Sequence, residues 1–136
     1  MEWTYQNIKV ESIEDIPEGV VGFVYLIVNE DTQEYYIGKK NIWSYRKLPP
    51  LKGSKRKRKV VKESDWIKYQ SSNDTVKGWN SCRKEIIHYC YTPKELTYRE
   101  TEALFCLKTM EDERCLNSNI LGKFYPKDIK KNIYEQ

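Results

Sequence analysis

The sequence is poor in the residues that build metal cages and covalent staples. It has one histidine and four cysteines among 136 residues. No two of Cys82, Cys90, Cys106 and Cys115 stand roughly two to four residues apart, the spacing compact zinc sites prefer, so zinc is not expected. Cys90, on an expected strand, and Cys106, on an expected helix, read instead as small buried apolar residues. A nucleophilic pairing of Cys90 with His88 is set aside, because nothing points to an acyl substrate. The chain also lacks any apolar run of about 18 residues, so no membrane-spanning helix is expected. Met1 to Val10 is polar and lacks the basic-then-apolar pattern of a secretion signal. Reduced thiols and a cytoplasmic protein are the resulting expectation. No internal repeat is present.

Acidic residues are missing from one stretch in particular. Residues 39–62 hold Lys39, Lys40, Arg46, Lys47, Lys52, Lys55, Arg56, Lys57, Arg58, Lys59 and Lys62, and no Asp or Glu. Residues 1–23 are the reverse, with Glu2, Glu11, Glu14, Asp15 and Glu18 against Lys9. A local cationic stretch is the electrostatic footprint of a polyanion partner. The chain's size fits one domain.

Local patterns give the organisation. Residues 1–18 read as an N-terminal extension, an arm or one short helix. Val20 to Val28 is rich in β-branched and aromatic residues and reads as a strand. Asn29 to Thr32 is turn chemistry, and Glu34 to Ile37 is the return strand, ended by Gly38. Asn41 to Lys47 is placed as the start of a helix stopped by Pro49 and Pro50. Leu51 to Lys59 has no apolar periodicity and reads as an exposed basic loop, within an insertion spanning 47–62. Ser64 caps a short helix to Tyr69, and another runs from Thr75 to Trp79. Arg83 to Cys90 is a third strand. Thr92, Pro93 and Glu95 form the strongest helix start, with threonine as cap, proline in the first turn and glutamate completing a capping box. That helix is expected to run to about Met110, with Leu96, Ala103, Leu104, Leu107 and Met110 toward the core. Cys115 to Gly122 is a short extended piece and 123–136 a polar tail. The fold class is α+β, a small three-stranded antiparallel sheet flanked by helices.

Two short motifs lie in the expected hairpin: Val24-Tyr25-Leu26, and Tyr36-Ile37-Gly38 followed by Lys39 and Lys40. With them, the chain resembles the GIY-YIG endonuclease family over about residues 20–122, weakly over 41–80. The Tyr-Ile-Gly-Lys-Lys run and the later Glu63-Ser64-Asp65-Trp66 look like those of small phage-encoded Seg-type homing endonucleases. The resemblance implies metal-dependent hydrolysis of DNA phosphodiester bonds, in a bacterial host cell if the protein is phage-encoded. RNA stays open as a substrate.

Such chemistry needs help for the attacking water, a cation against the charge developing at phosphorus, and a stabilised leaving oxygen. By resemblance, Tyr25 and Tyr36 lie at the active site and position or deprotonate the water. A phenol has an ordinary pKa near 10, so acting as base would require the neighbouring cations to lower it. Tyr35 should point to the opposite face. Arg46 is the first candidate to hold the scissile phosphate through two hydrogen bonds, with Arg56 and Arg58 as alternatives. Glu102 is chosen as the ligand of one Mg²⁺ or Mn²⁺, an ion that keeps most of its waters. Glu100 is its rival, on another helix face and expected to face solvent. Gly38 and Asn117 support the site, with Asn119 as an alternative to the latter. Lys39, Lys40, Lys55, Arg56, Lys57, Arg58 and Lys59 supply phosphate contacts. Trp43, Trp66, Tyr69 and Trp79 flank the basic stretch, as core or as stacking surfaces. No separate DNA-reading module is evident, and a homodimer is one route to cutting both strands. The alternatives are a catalytically inactive nucleic-acid binder, or a module that binds a host factor, on the same scaffold.

Overall fold

The computed structural model describes residues 1–53, 55 and 58–129. The side chains of 46–48 and 58–60 lie outside what is described.

A five-stranded mixed sheet carries the fold. Its centre is the expected antiparallel trio: β3 (Gly22–Asn29) lies between β4 (Tyr35–Asn41) and β7 (Cys82–Cys90). The three-strand expectation falls short because residues 3–10, read as an arm, add two strands. β1 (Trp3–Tyr5) pairs in parallel with β7, and β2 (Ile8–Val10) pairs back on β1. The cause is Trp3, which is 1 % exposed and stacks edge-on against Phe23 and Tyr25. Burying an aromatic ring is worth a few kcal/mol, enough to recruit a short polar segment into the sheet.

Strand alternation sends Phe23, Tyr25 and Ile27 to one face, and Val24 and Leu26 to the other. The first face is covered by Trp66 and Val76 from the irregular stretch after the basic segment. The second is covered by α2 (Pro93–Cys106), through Leu96 and Leu104. Tyr35 goes with the second face and Tyr36 with the first.

Several local expectations are corrected. Gly38 lies inside β4 and does not end it. Asn41 to Lys47 forms no helix: β5 (Trp43–Leu48) pairs with β6 (Arg58–Glu63) as a separate two-stranded ribbon, so Arg58 and Lys59, at the end of the expected basic loop, are strand. Its Tyr, Trp and Val content favours extended chain over helix. Ser64 to Tyr69 makes only one turn, closed by Tyr69 N–H donating to the Asp65 carbonyl at 3.1 Å. Helix α1 is Asp74–Lys77, capped by the Asn73 side chain. Thr92 caps α2 as expected, and Glu95 donates no box to Thr92: its carboxylate accepts from the Tyr91 N–H at 2.8 Å. α2 stops at Cys106, four residues early, because Lys108 takes a left-handed φ of 52°. Leu107 and Cys106 are consequently exposed, while Met110 is buried on a 3-10 turn and Cys90 is fully buried. Among the described residues no helix is long and apolar enough to cross a membrane.

Candidate active site

Tyr25 pairs with Gly38, and Tyr36 with Ile27, across β3 and β4. The two tyrosines therefore share a face, with ring centroids 6.3 Å apart. Tyr25 is 1 % exposed. Its hydroxyl occupies the space over Gly38 that a Cβ would need, which explains a glycine inside a strand. Tyr36 is half-buried at the edge strand and faces a cavity of about 520 Å³. That cavity is also lined by Lys39, Ser72, Thr97, Glu100 and Asn117.

The electrostatics run against the expected lowering of the tyrosines. Burial pushes the Tyr25 phenol far above its ordinary value, with the Ser71 hydroxyl acting the other way. Burial raises Tyr36 too, opposed by Ser72 and reinforced by Glu100, Tyr69 and Cys115. The two lysines that follow the motif have partners of their own. Lys40 pairs with Asp65 at 2.6 Å and lies 4.0 Å over the Tyr69 ring. Lys39 donates to Thr97 Oγ1 at 2.9 Å. Both phenols are thus neutral at physiological pH.

Asn117 sits beside β4 and makes both hydrogen bonds of a missing strand. Its Oδ1 accepts from the Ile37 N–H at 2.9 Å, and its Nδ2 donates to the Ile37 carbonyl at 2.7 Å. Leu116 N–H donates to the Tyr35 carbonyl at 2.8 Å, and Tyr35 N–H donates to Arg114 at 2.9 Å. The edge carrying Tyr36 is therefore pinned. Asn119 caps the following turn instead, accepting from the Gly122 N–H at 2.8 Å.

The two helix glutamates part company. Glu102 is exposed and accepts from Arg99 Nη1 at 3.0 Å and 3.3 Å; it does not line the cavity. Residues two positions apart on an α-helix lie about 200° apart around its axis, so Glu100 takes the other face. It lines the cavity with Tyr36, and no hydrogen bond or ion pair holds it among the described residues. Burial raises its carboxyl above the usual range, and Lys39 opposes that. The sequence carried a signal for this: Glu100 is four residues from both Leu96 and Leu104, inside the apolar stripe that faces the sheet. A carboxylate in that stripe has a reason other than solvation.

Among the described residues, no group of three or more His, Cys, Asp or Glu could hold a metal ion. A single cavity-facing carboxylate suits only an ion that brings most of its ligands as water or substrate oxygens, which is the preference of Mg²⁺. The donor set fits that group and does not fit a closed cage.

The basic candidates scatter. Lys55 is exposed. Arg46 lies on β5 and Arg58 and Lys59 on β6, with undescribed side chains; Arg56 and Lys57 lie outside the described residues. Trp66 is fully buried core, and Trp43, Tyr69 and Trp79 pack partly against it.

The family model described as "Putative endonuclease segE, GIY-YIG domain" matches residues 3–129. No curated protein and no solved structure matches the chain.

Proposed function

The chain belongs to the GIY-YIG endonuclease family of segE type, and from this we propose that it hydrolyses DNA phosphodiester bonds with the help of one divalent cation. The observation that carries the reading is the convergence of Tyr36, Glu100 and Lys39 on one open cavity beside the pinned β4 edge. It extends the family's nuclease activity to a substrate, a cation and named residues.

Tyr36 is the phenol that reaches substrate. Held neutral by burial, it orients the attacking water by hydrogen bonding and does not ionise ahead of the reaction. Tyr25 is a positioning residue: its buried ring packs against Tyr36 and Tyr69. Glu100, in place of Glu102, would hold Mg²⁺ or Mn²⁺. When bound, such an ion offsets charge on the phosphate and the leaving oxygen. Lys39 places a second positive charge at the same cavity. Arg46 is the phosphate-holding arginine, being the nearest in the chain to the cleft of the three candidates. Cations of the basic segment supply sequence-independent contacts, so affinity should fall steeply with salt.

Supercoiled plasmid incubated with Mg²⁺ or Mn²⁺ tests the reading. The parent and Glu102→Ala should both nick it. Glu100→Ala and Tyr36→Phe should be slower by about a hundredfold or more. Loss of activity in Glu102→Ala with retention in Glu100→Ala would reverse the metal assignment. A parent that retards plasmid on a gel without cutting it under either cation would make the protein a binder on a nuclease scaffold.

A further inference from the structure

The β5–β6 ribbon stands outside the main sheet, its strands paired from Trp43↔Glu63 to Leu48↔Arg58. A lone two-stranded hairpin is marginal in water, and the described residues fasten this one at its base. Ser64 N–H donates to the Ile42 carbonyl at 2.8 Å, and Ser64 Oγ donates to the Asn41 carbonyl at 2.6 Å. The Trp66 indole donates to the Glu63 carboxylate at 2.9 Å. Ile42 and Trp66 are both fully buried, so the base is rigid. Beyond it, the register sets Tyr45 opposite Val61, and these are 66 % and 55 % exposed. The ribbon thus offers apolar surface at its middle. The sequence of this segment holds nine cations from Arg46 to Lys62, and no acid before Glu63.

We infer that this ribbon is the DNA-reading element of the protein: it enters the major groove of duplex DNA next to the scissile phosphate. The inference rests on the nuclease reading and adds to it a duplex substrate, a groove and a means of sequence preference. Three observations carry it. The first is shape. Two paired strands lie about 5 Å apart. With side chains they fill a major groove about 12 Å wide, and they do not fit a minor groove of about 6 Å. The second is chemistry. The cationic sequence of the segment suits the phosphates that flank the groove, while an exposed Tyr and Val pair suits its floor, where thymine shows a methyl group. The third is place. A cavity of about 830 Å³ at the ribbon base, lined by Ser44, Tyr45 and Lys62, adjoins the Tyr36–Glu100 cavity, the two meeting at Lys39 and Thr97. From Tyr36 to Tyr45 the chain spans at most about 30 Å at ~3.3 Å per residue. That is about nine base steps at ~3.4 Å each, so the ribbon reaches DNA within one helical turn of the cut.

The test begins by sequencing the ends of plasmid fragments cut by the parent, which yields a preferred site. A duplex bearing that site is then treated with dimethyl sulfate and bound in EDTA, so that binding is read without cleavage. Methylation of guanine N7, in the major groove, should block binding on one side of the cut within about nine base pairs. The double variant Tyr45→Ser/Val61→Ser should lose that interference, and its cut ends should drift toward random sequence. Its melting temperature, measured beside the parent's, guards against misfolding; should it fall sharply, Tyr45→Phe takes its place, with a shifted cut preference expected. Interference at adenine N3, in the minor groove, would overturn the inference. So would cut preferences and guanine interference unchanged in the variant. If the parent does not cut, the nuclease reading fails, and selection of bound duplexes from a random pool, followed by the same interference assay, still decides on the ribbon.

Discussion

The side-chain amide of Asn117 satisfies both main-chain groups of Ile37, the middle residue of the Tyr36-Ile37-Gly38 motif. It replaces a neighbouring strand at the sheet edge and fixes the backbone from which Tyr36 projects. Asn117→Ala would leave a partly buried N–H and carbonyl without partners, at a cost of about 1–3 kcal/mol. Urea unfolding should show this as a lower midpoint with an unaltered slope. Plasmid cutting should fall as well, because the motif loses its anchor.

Gly38 and Tyr25 compete for one volume. A methyl group at Gly38 would overlap the Tyr25 hydroxyl and press on its ring, and overpacking of this kind costs about 1–3 kcal/mol. Gly38→Ala should therefore melt early, and Tyr25→Phe made in the same chain should restore part of the loss. The double-mutant cycle would return a coupling energy on the order of 0.5 kcal/mol or more, favouring the pair. Additive effects would show that the two groups do not share the space.

The pH dependence of cutting should carry the mark of Glu100. A protonated carboxyl does not hold a cation, so the rate falls as pH drops through its value. Burial raises that value, which puts the acid limb above that of an ordinary carboxylate. Lys39 works in the opposite direction, so Lys39→Met should move the limb to still higher pH. The same shift acts on stability. Because the folded state binds this proton more tightly than the unfolded state, the charged carboxylate is unfavourable to folding at neutral pH. Glu100→Gln should melt no lower than the parent while losing cleavage, a pattern expected of a functional group and not of a structural one.

Lys84 is 2 % exposed on β7, its ammonium 4.4 Å from the Trp3 ring centroid. Burial lowers it to about 8. The folded state thus disfavours the charged lysine. Stability from this residue is present above its unfolded value near 10.5 and is lost as pH falls through about 8. Lys84→Met should be more stable than the parent at pH 7, by at most about 3 kcal/mol, with the gap closing by pH 10. Urea midpoints of both proteins across that range measure it.

The hairpin with its two tyrosines, the third strand and the capped start of α2 were all legible in the sequence. Each rests on residues close together in the chain: alternation over Gly22–Asn29, turn chemistry at Asn29, threonine and proline before Glu95. The N-terminal strands were not legible, because Trp3 finds its place through β7, with Lys84 as its register partner, and no local pattern announces a pairing over that separation. The ribbon was hidden behind its charge. Its alternation is broken by lysines and arginines, and only pairing across the segment between Leu48 and Arg58 makes it a strand pair.

What sequence alone settles about this protein is its family resemblance, its cationic stretch and the identity of the chemical groups on offer. What it leaves to tertiary structure is which of those groups meet. Glu100 and Glu102 have the same side chain and the same helix propensity. The roll of α2, set by Leu96 and Leu104 against the sheet, turns one toward Tyr36 and the other toward Arg99 and solvent. Burial likewise decides the state of the tyrosines, since desolvation by the surrounding core holds both phenols above their ordinary value.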